Sequence, residues 1–271
     1  MHGASMGLAR YIEAATRLRL PGDYMPLRFG AEAIGYVRPE IAARLGGAGG
    51  VVVKDETGLQ QCAAILAEAG HFKPRGELFD VRAHPDGPVL ARLDRGALPC
   101  LGIQAAGVHV NGLVHTPNGP RLWLAKRSAT TRLEPGKLDN LIGGGIPAGM
   151  NAADTLIKEA DEEASIAAPM ALQARHVATL TYAWERPEGL RRDRLFCYDL
   201  ALPADFHPTP NDGEVEGFRL FALPDVLARL RDTNDFKFNV PLVLIDLLAR
   251  HGLIDPATLP GLAILRGHAA G

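Results

Sequence analysis

Three glutamates near the middle of the chain have a spacing that suits metal-assisted chemistry. Glu159, Glu162 and Glu163 are related as i, i+3 and i+4, so they share one face of a helix. Their clustered carboxylate oxygens are hard donors, which suit Mg²⁺ or Mn²⁺. An ion held there neutralises phosphate charge and orients phosphorus for attack by water. The plain alternative for the same spacing is a solvated acidic helix face.

A run of glycines before the helix strengthens the metal interpretation. Gly143, Gly144 and Gly145 permit backbone conformations closed to other residues, and they let a ligand approach the main chain closely. We therefore expect a loop, with a carbonyl group such as that of Gly144 as a further oxygen donor. Asn151 is expected to cap the helix, with Asp154 in the reciprocal position of a capping box.

An apolar stripe on this helix indicates how it is held. Its members are Leu156, Ile157, Ala160 and Ala164. The stripe predicts that the helix docks on a core and leaves the glutamates facing outward.

The glycine run and the acidic helix together resemble the Nudix box, G-x(5)-E-x(7)-R-E-U-x-E-E-x-G-U, where U is aliphatic. With Gly144 on the first glycine, the three glutamates (the box glutamates) fall on the R-E and E-E positions. Met150 replaces the first glutamate, Lys158 the arginine and Ser165 the late glycine. Because the first glutamate and the arginine commonly pair in the family, their joint replacement removes one structural link and leaves the metal-binding face whole.

Further segments extend the resemblance from about residue 100 onward. They look like the thiamine-pyrophosphokinase-related Nudix branch, in which an extra N-terminal domain precedes the Nudix domain and the first box glutamate is often lacking. The segments are GVHVNGLV (107–114), LWLAKRS (122–128), PGKLDN (135–140), NDGEVEGF (211–218) and FKFNVPLVLIDLLARHG (236–252). The resemblance implies an α+β fold, an α/β/α sandwich with a mixed sheet over 101–271, after a small α/β domain over 1–100.

The resemblance also implies roles for residues outside the helix. The box glutamates are the expected catalytic and metal-binding residues. Glu214 and Glu216 are candidates for another metal ligand or the general base, or else solvated carboxylates on an edge strand. Lys126 and Arg127 are similar to the family's phosphate-contacting basic position, and Lys137 is a weaker candidate. Surface solubility is the alternative for these cations.

Other polar and aromatic residues favour structural roles. Arg191, Arg192 and Arg194 lie beside a predicted hairpin turn, where a solvated turn is favoured over substrate contact. Tyr182 is expected in the core, although stacking on a substrate ring is an alternative. His109 lies inside a strand pattern and is expected to be a structural residue.

The rest of the chain predicts strands in series with few helices, which favours a mixed sheet flanked by helices. We expect a plain loop for the glycines at 46–50, because a strand follows it, and a passage between domains over 85–99. Predicted helices are 5–18, a short one from Pro39, 59–66, one from Pro224 and 240–250, and predicted strands are 29–37, 51–53, 78–81, 108–114, 122–126, 177–184, 195–200 and 217–221.

Composition restricts the partners. The chain has 271 residues, which suggests two domains, and a net charge of −2, which gives no reason to expect nucleic acid or an anionic membrane. No apolar run approaches a membrane span. Cys62, Cys100 and Cys197 are odd in number and widely spaced, which fits the reducing cytoplasm better than a disulfide framework. Whether the chain forms a homodimer stays open.

The sequence therefore predicts a metal-dependent pyrophosphohydrolase. The branch resemblance makes thiamine diphosphate, or its oxidised analogues, the leading substrate, cleaved to the monophosphate. One alternative is a nucleoside-diphosphate-linked substrate. The other is a binding module that kept the fold and lost turnover, suggested by Met150, Lys158 and Ser165.

Overall fold

The computed structural model describes residues 2–47 and 49–267; Ala48, part of the predicted glycine loop, lies outside them. The helices are α1 (His2–Thr16), α2 (Pro39–Arg44), α3 (Glu56–Glu68), α4 (Leu98–Leu101), α5 (Ala152–Ala164), α6 (Ala168–Ala171), α7 (Leu223–Asp232), α8 (Val240–Arg250) and α9 (Gly261–Leu265), with a 3₁₀ turn at Pro256–Thr258. The strands are β1 (Met25–Phe29), β2 (Glu32–Val37), β3 (Val51–Val53), β4 (Leu78–Val81), β5 (Ala91–Asp94), β6 (Gln104–Val114), β7 (Arg121–Arg127), β8 (Leu138–Asp139), β9 (Ile142–Gly145), β10 (Arg175–Arg186), β11 (Gly189–Ala201) and β12 (Val215–Ala222).

Strand β6 lies at the centre of a seven-stranded mixed sheet. The order is β10-β11-β6-β7-β12, with β8 paired to β7 and β9 paired to β6. β11 runs parallel to β6, and the other pairings are antiparallel. β7 pairs with β6 only at residues 112–114, so β9 takes the place beside residues 107–110. The glycines before the box helix are thereby inserted into the middle of the sheet.

Helices cover both faces of this sheet. On one face, α1, α7, α8 and α9 pack against apolar residues of β7, β10 and β11. On the other face, Leu156, Ala160 and Ala164 of α5 pack with residues of β6, β9 and β11. The predicted α+β class, with a mixed sheet between helical layers, is confirmed.

A second apolar core lies in the N-terminal part of the chain. It joins the sheet β2-β1-β3 and the hairpin β4-β5 to α2, α3 and α4. The predicted strand over 29–37 contains the end of β1, a turn and β2, because Gly30 turns the chain with φ of 59°. The predicted passage over 85–99 was wrong in part, since it contains β5, which pairs with β4.

The first helix packs away from the other N-terminal elements. Leu8, Ile12 and Ala15 are buried against the C-terminal helices α7 to α9 and strand β10. The core of the N-terminal part begins with β1 and continues to Ile103. The division at residue 100 stays a prediction, and α1 packs with the elements on its far side. Among the described residues, every helix is too short or too polar to cross a bilayer.

Candidate active site

The box helix α5 begins and ends as its sequence predicts. Asn151 Oδ1 accepts a hydrogen bond from the Asp154 amide at 2.9 Å, so the cap is confirmed. The reciprocal contact runs from Asn151 Nδ2 to Asp154 Oδ2 at 2.7 Å, between side chains instead of to the backbone. Ser165 closes the helix with φ of 52°, the left-handed conformation that glycine usually supplies.

The predicted glycine loop was wrong, because residues 143–145 are part of strand β9. All three glycines have φ outside the left-handed region, so they are not needed for a turn. At Gly144 the reason is space. A Cβ there would lie 2.4 Å from Cδ of Glu159 and 2.5 Å from its Cγ, closer than real contacts allow. The missing side chain at Gly144 is what lets Glu159 lie against the strand.

The box glutamates differ in exposure, although they share one helix. Glu163 is only 6% exposed and accepts a hydrogen bond from the Gly143 amide at 2.8 Å. The Glu159 side chain is 16% exposed, whereas that of Glu162 is 45% exposed. The expectation that all three face outward was therefore wrong for Glu163, since the helix rolls it toward β9.

Burial of two carboxylates concentrates negative charge at the contact of α5 with β9. Burial, together with the negative charge of Asp139, raises the pKa of Glu163 well above its usual value. Burial also raises the pKa of Glu159, against the lowering effect of Lys158. Lys158 Nζ lies 3.2 Å from Glu159 Oε1 and also pairs with Glu162. The lysine thus bridges two box glutamates in place of the pairing that Met150 cannot make.

Asp139 forms the centre of a buried ion cluster behind β9. It is 4% exposed and accepts from Lys237 Nζ at 2.9 Å and Arg127 Nη1 at 3.0 Å. Burial alone would raise the pKa of Asp139, but these two cations hold it below its usual value. Arg127, expected at the substrate, is only 9% exposed and faces this carboxylate instead. Its position favours a structural role.

The structure places the other predicted outer residues on or directly before strands β7, β8 and β12. Lys126 Nζ pairs with Glu216 at 3.0 Å across β7 and β12, where both side chains are about half exposed. Glu214 is exposed just before β12. Lys137 Nζ donates to the Asn234 carbonyl. The structure therefore brings together Lys126 and Glu216, but the roles of all four as ligands, base or substrate contacts stay predictions.

A pocket opens beside β9. Its walls include Gly143–Gly145 and His109, together with Arg191, Arg192 and Asp193 of β11. The solvated turn favoured for the arginines was wrong. They lie on β11 and are partly buried, and Arg191 pairs with Asp193 at 3.1 Å.

His109 begins a chain of buried hydrogen bonds. Its Nδ1 lies 2.9 Å from Asn140 Oδ1, Asn140 Nδ2 donates to Asn111 Oδ1 at 2.8 Å, and Asn111 Nδ2 donates to Asp199 Oδ1 at 2.9 Å. Arg250 of α8 pairs with Asp199 at the far end. Burial, with the nearby charge of Lys237, lowers the pKa of His109 to about 4. These buried contacts support a structural role for His109, which stays a prediction because the residue also lines the pocket.

Comparison with known proteins identifies the part of the chain that carries this site. Residues 106–240 match the NUDIX domain family, and they contain α5, β9 and the Asp139 cluster. These residues belong to the Nudix superfamily. Nudix hydrolase 20, chloroplastic, of Arabidopsis thaliana is 43% identical over 182 residues, which are 67% of this chain and 49% of that protein.

Two further similarities are more distant. An uncharacterized protein of Saccharomyces cerevisiae is 33% identical over 182 residues, covering 62% of this chain and 53% of the yeast protein. A crystal structure from Deinococcus radiodurans has 19% sequence identity and a TM-score of 0.48, covering 62% of this chain and 96% of that one. The chain spans about half the length of the curated relatives it matches.

Nudix hydrolases generally use divalent metal ions, and the donor set here fits one. Three carboxylates occupy adjacent turns of α5, and burial raises the pKa values of Glu159 and Glu163, so a bound cation would favour their charged forms. Within residues 2–47 and 49–267, however, no three acidic, histidine or cysteine side chains are already arranged around one point. Binding an ion would require Lys158 to leave Glu159 and Glu162, which is feasible for a flexible, half-exposed side chain.

Sequence reasoning missed several residues around the Nudix site. Asp139 and Lys237 were inside quoted segments but had no role. A lysine between Phe236 and Phe238 was a usable signal, because an apolar pattern interrupted by one charge indicates a buried partner. Asn239 also lines the pocket, and its Oδ1 is buried without a hydrogen-bond partner among the described residues.

Proposed function

We propose that the chain is a divalent-metal-dependent hydrolase that cleaves a small organic diphosphate by attack of water at phosphorus. The arrangement at β9 carries the proposal. The Gly143 amide of this strand donates to the Glu163 carboxylate, and the Glu159 side chain lies against Gly144. The same strand forms a wall of the pocket. The acidic residues and the space for a substrate therefore share a single rigid element.

We assign different roles to the box glutamates from the exposure of their side chains. Glu159 and Glu163 are positioned by β9 and are the residues that would hold the ion, with Glu162 beside them. A divalent ion there would neutralise phosphate oxygens and orient the diphosphate. Glu162 is the most exposed of the three, so it is the one that we assign to take the proton of the attacking water.

We propose thiamine diphosphate, or an oxidised analogue, as the substrate, with the monophosphate as product. The support is the resemblance of five segments to the thiamine-related Nudix branch. The pocket adds a wall of Phe79, Leu98 and Pro99, which suits a flat organic group beside the phosphates. A reducing compartment, such as the cytoplasm, is proposed from the three unpaired cysteines.

One observation favours a second candidate, a binding module without turnover. Lys158 already contacts Glu159 and Glu162, so a cation of the chain itself compensates part of the acidic face. The double variant Met150→Glu with Lys158→Arg separates the two. If it creates diphosphate hydrolysis in a protein that has none, the native chain is a binder; if it changes only stability, the altered pair is structural.

The test of the proposed hydrolase is phosphate release from a panel of substrates. Thiamine diphosphate, oxothiamine diphosphate and several nucleoside-diphosphate compounds are each incubated with the protein in Mg²⁺, in Mn²⁺ and in EDTA. We expect release from the thiamine compounds that stops in EDTA. Preference for the nucleotides would replace the substrate proposal, and no release from folded protein under any condition would contradict the hydrolase.

A further inference from the structure

The pocket beside β9 has a wall that comes from outside the matched Nudix region. Phe79 of β4, Arg95 after β5, and Leu98 and Pro99 of α4 all precede residue 106, where the family match begins. Phe79 and Arg95 approach the backbone of Gly145 in β9. The N-terminal part of the chain therefore closes a space that the Nudix domain alone would leave open.

Arg95 is held against the glycine strand by two contacts. Its Nη1 donates to Glu77 Oε2 at 2.8 Å, and its guanidinium carbon lies 5.5 Å from the centre of the Phe79 ring. A Cβ on Gly145 would lie 3.5 Å from the Arg95 guanidinium carbon and 2.6 Å from the tip of the Phe79 ring. Gly145 thus has no side chain where Arg95 and Phe79 approach the backbone.

This approach places Arg95 next to the box glutamates but not in contact with them. Gly144, the next residue of β9, is the one against which Glu159 lies. Glu77 occupies only one edge of the guanidinium, which has five N–H donors, so donors remain for an anion. The Arg95–Glu77 pair is more than a third exposed on both sides, and pairs of this kind add little stability.

Three other arginine side chains lie near Arg95 at the pocket. Arg191 lines it from β11, and Arg75 and Arg132 lie close by. Partial burial and the positive charges of Arg95, Arg191 and Arg132 together lower the pKa of Arg75. Asp193 and Glu77 offset part of this positive charge, and a phosphate group placed among the arginines would be attracted by the remainder.

We propose that Arg95 binds a phosphate oxygen of the substrate, and that Phe79 packs on its organic portion, so that the N-terminal part completes the substrate site. The proposal rests on the proposed function for its ligand class, an organic diphosphate. Arginine suits this role because its planar fork matches a phosphate group and never loses its charge. Arg95, whose charge already acts on Glu159, and the metal-binding glutamates would then contact different oxygens of the diphosphate.

The test compares Arg95→Ala and Arg95→Lys with the matched control Arg28→Ala. Arg28 lies on β1 of the same N-terminal part, and its side chain donates to the nearby Ala31 carbonyl at 2.9 Å. Binding of inorganic pyrophosphate is measured by calorimetry with Mg²⁺ in fixed excess, and KM and kcat are measured with the diphosphate that the native protein cleaves. Thermal unfolding of each variant shows that it is folded.

Arg95→Ala should weaken pyrophosphate binding and raise KM by roughly tenfold or more, with kcat changed far less, because a charge-assisted bond is lost. The pyrophosphate affinity and KM of Arg95→Lys should lie between those of the native protein and Arg95→Ala. Those of Arg28→Ala should match the native values. Equal pyrophosphate binding in native protein and Arg95→Ala would overturn the proposal. If Arg95→Ala does not fold, Arg95→Lys is the test. Native pyrophosphate binding and a native KM in the lysine variant would overturn recognition of the phosphate by the arginine fork.

The binding arm distinguishes this proposal from the proposed function. Absence of hydrolysis with any diphosphate, together with pyrophosphate binding that depends on Arg95, would remove the hydrolase and keep the anion site. Hydrolysis with an unchanged KM in Arg95→Ala would keep the hydrolase and remove Arg95 from the site. Phe79→Leu, which retains most of the buried volume, should raise KM for the organic diphosphate but leave pyrophosphate binding unchanged.

Discussion

Replacing Gly144 by alanine should damage the active site far more than the fold. The added Cβ would lie 2.4 Å from Cδ of Glu159, and ordinary contact begins at 3.4 Å, so the carboxylate must move by about 1 Å. The end of a glutamate side chain can move this far at little cost in stability, about 1 kcal/mol or less. A displacement of about 1 Å in a catalytic group costs on the order of 100-fold in rate, or about 2.7 kcal/mol of transition-state stabilisation.

The assay pairs steady-state hydrolysis with urea unfolding for Gly144→Ala and for the control Gly217→Ala. A Cβ at Gly217 on β12 would meet nothing within 4 Å. We expect kcat/KM to fall about 100-fold in Gly144→Ala only, with free energies of unfolding within about 1 kcal/mol of the native protein in both variants. Native activity in Gly144→Ala would show that the position of Glu159 against β9 does not matter for catalysis, and this reasoning would be refuted.

Three further predictions concern the charges around β9. Asp139→Asn should lower the free energy of unfolding by about 3–5 kcal/mol in urea titrations, because it leaves Lys237 and Arg127 buried without a carboxylate; a loss below about 1 kcal/mol would contradict the buried cluster. The pKa of His109 is about 4 in the folded protein and 6.5 in the unfolded chain. Burial of neutral His109 therefore stabilises the fold fully above pH 6.5, and the free energy of unfolding falls by about 3 kcal/mol in total as the pH drops toward 4. The free energy of unfolding, measured from pH 7 to 4.5, should therefore fall more steeply in native protein than in His109→Asn. Parallel curves for the two proteins would exclude this effect of His109. Lys158→Gln should tighten Mn²⁺ binding, measured by calorimetry, because it removes a cation that competes for Glu159 and Glu162; weaker binding would mean that the lysine positions the carboxylates.

Local signals in the sequence were sufficient for the box helix and for most strands. The cap at Asn151, the apolar stripe and the closing Ser165 all act within α5, so its bounds follow from neighbouring residues. Strands β5 and β9 were missed because their formation depends on partners distant in sequence. The glycines of β9 have low strand preference, and the β6 backbone supplies the pairing that keeps them extended.

Side-chain direction explains which site predictions needed the structure. Lys126 and Arg127 are adjacent on β7, so they point to opposite faces of the sheet, one exposed and one toward Asp139. That alternation was available from the sequence and argues against both contacting one phosphate. Arg95 and Phe79 had no such signal, because their approach to Gly145 depends on how the β4-β5 hairpin packs against the Nudix sheet.

The most direct test of the central claim is metal-dependent phosphate release by native protein, Glu162→Gln and Asp161→Asn. Both variants remove one carboxylate charge from α5, but Asp161 is exposed and lies off the face shared by the box glutamates. The account predicts release from an organic diphosphate with Mg²⁺ or Mn²⁺, none in EDTA, near-native release by Asp161→Asn and almost none by a fully folded Glu162→Gln. Unchanged turnover in Glu162→Gln, or release that persists in EDTA, would contradict it.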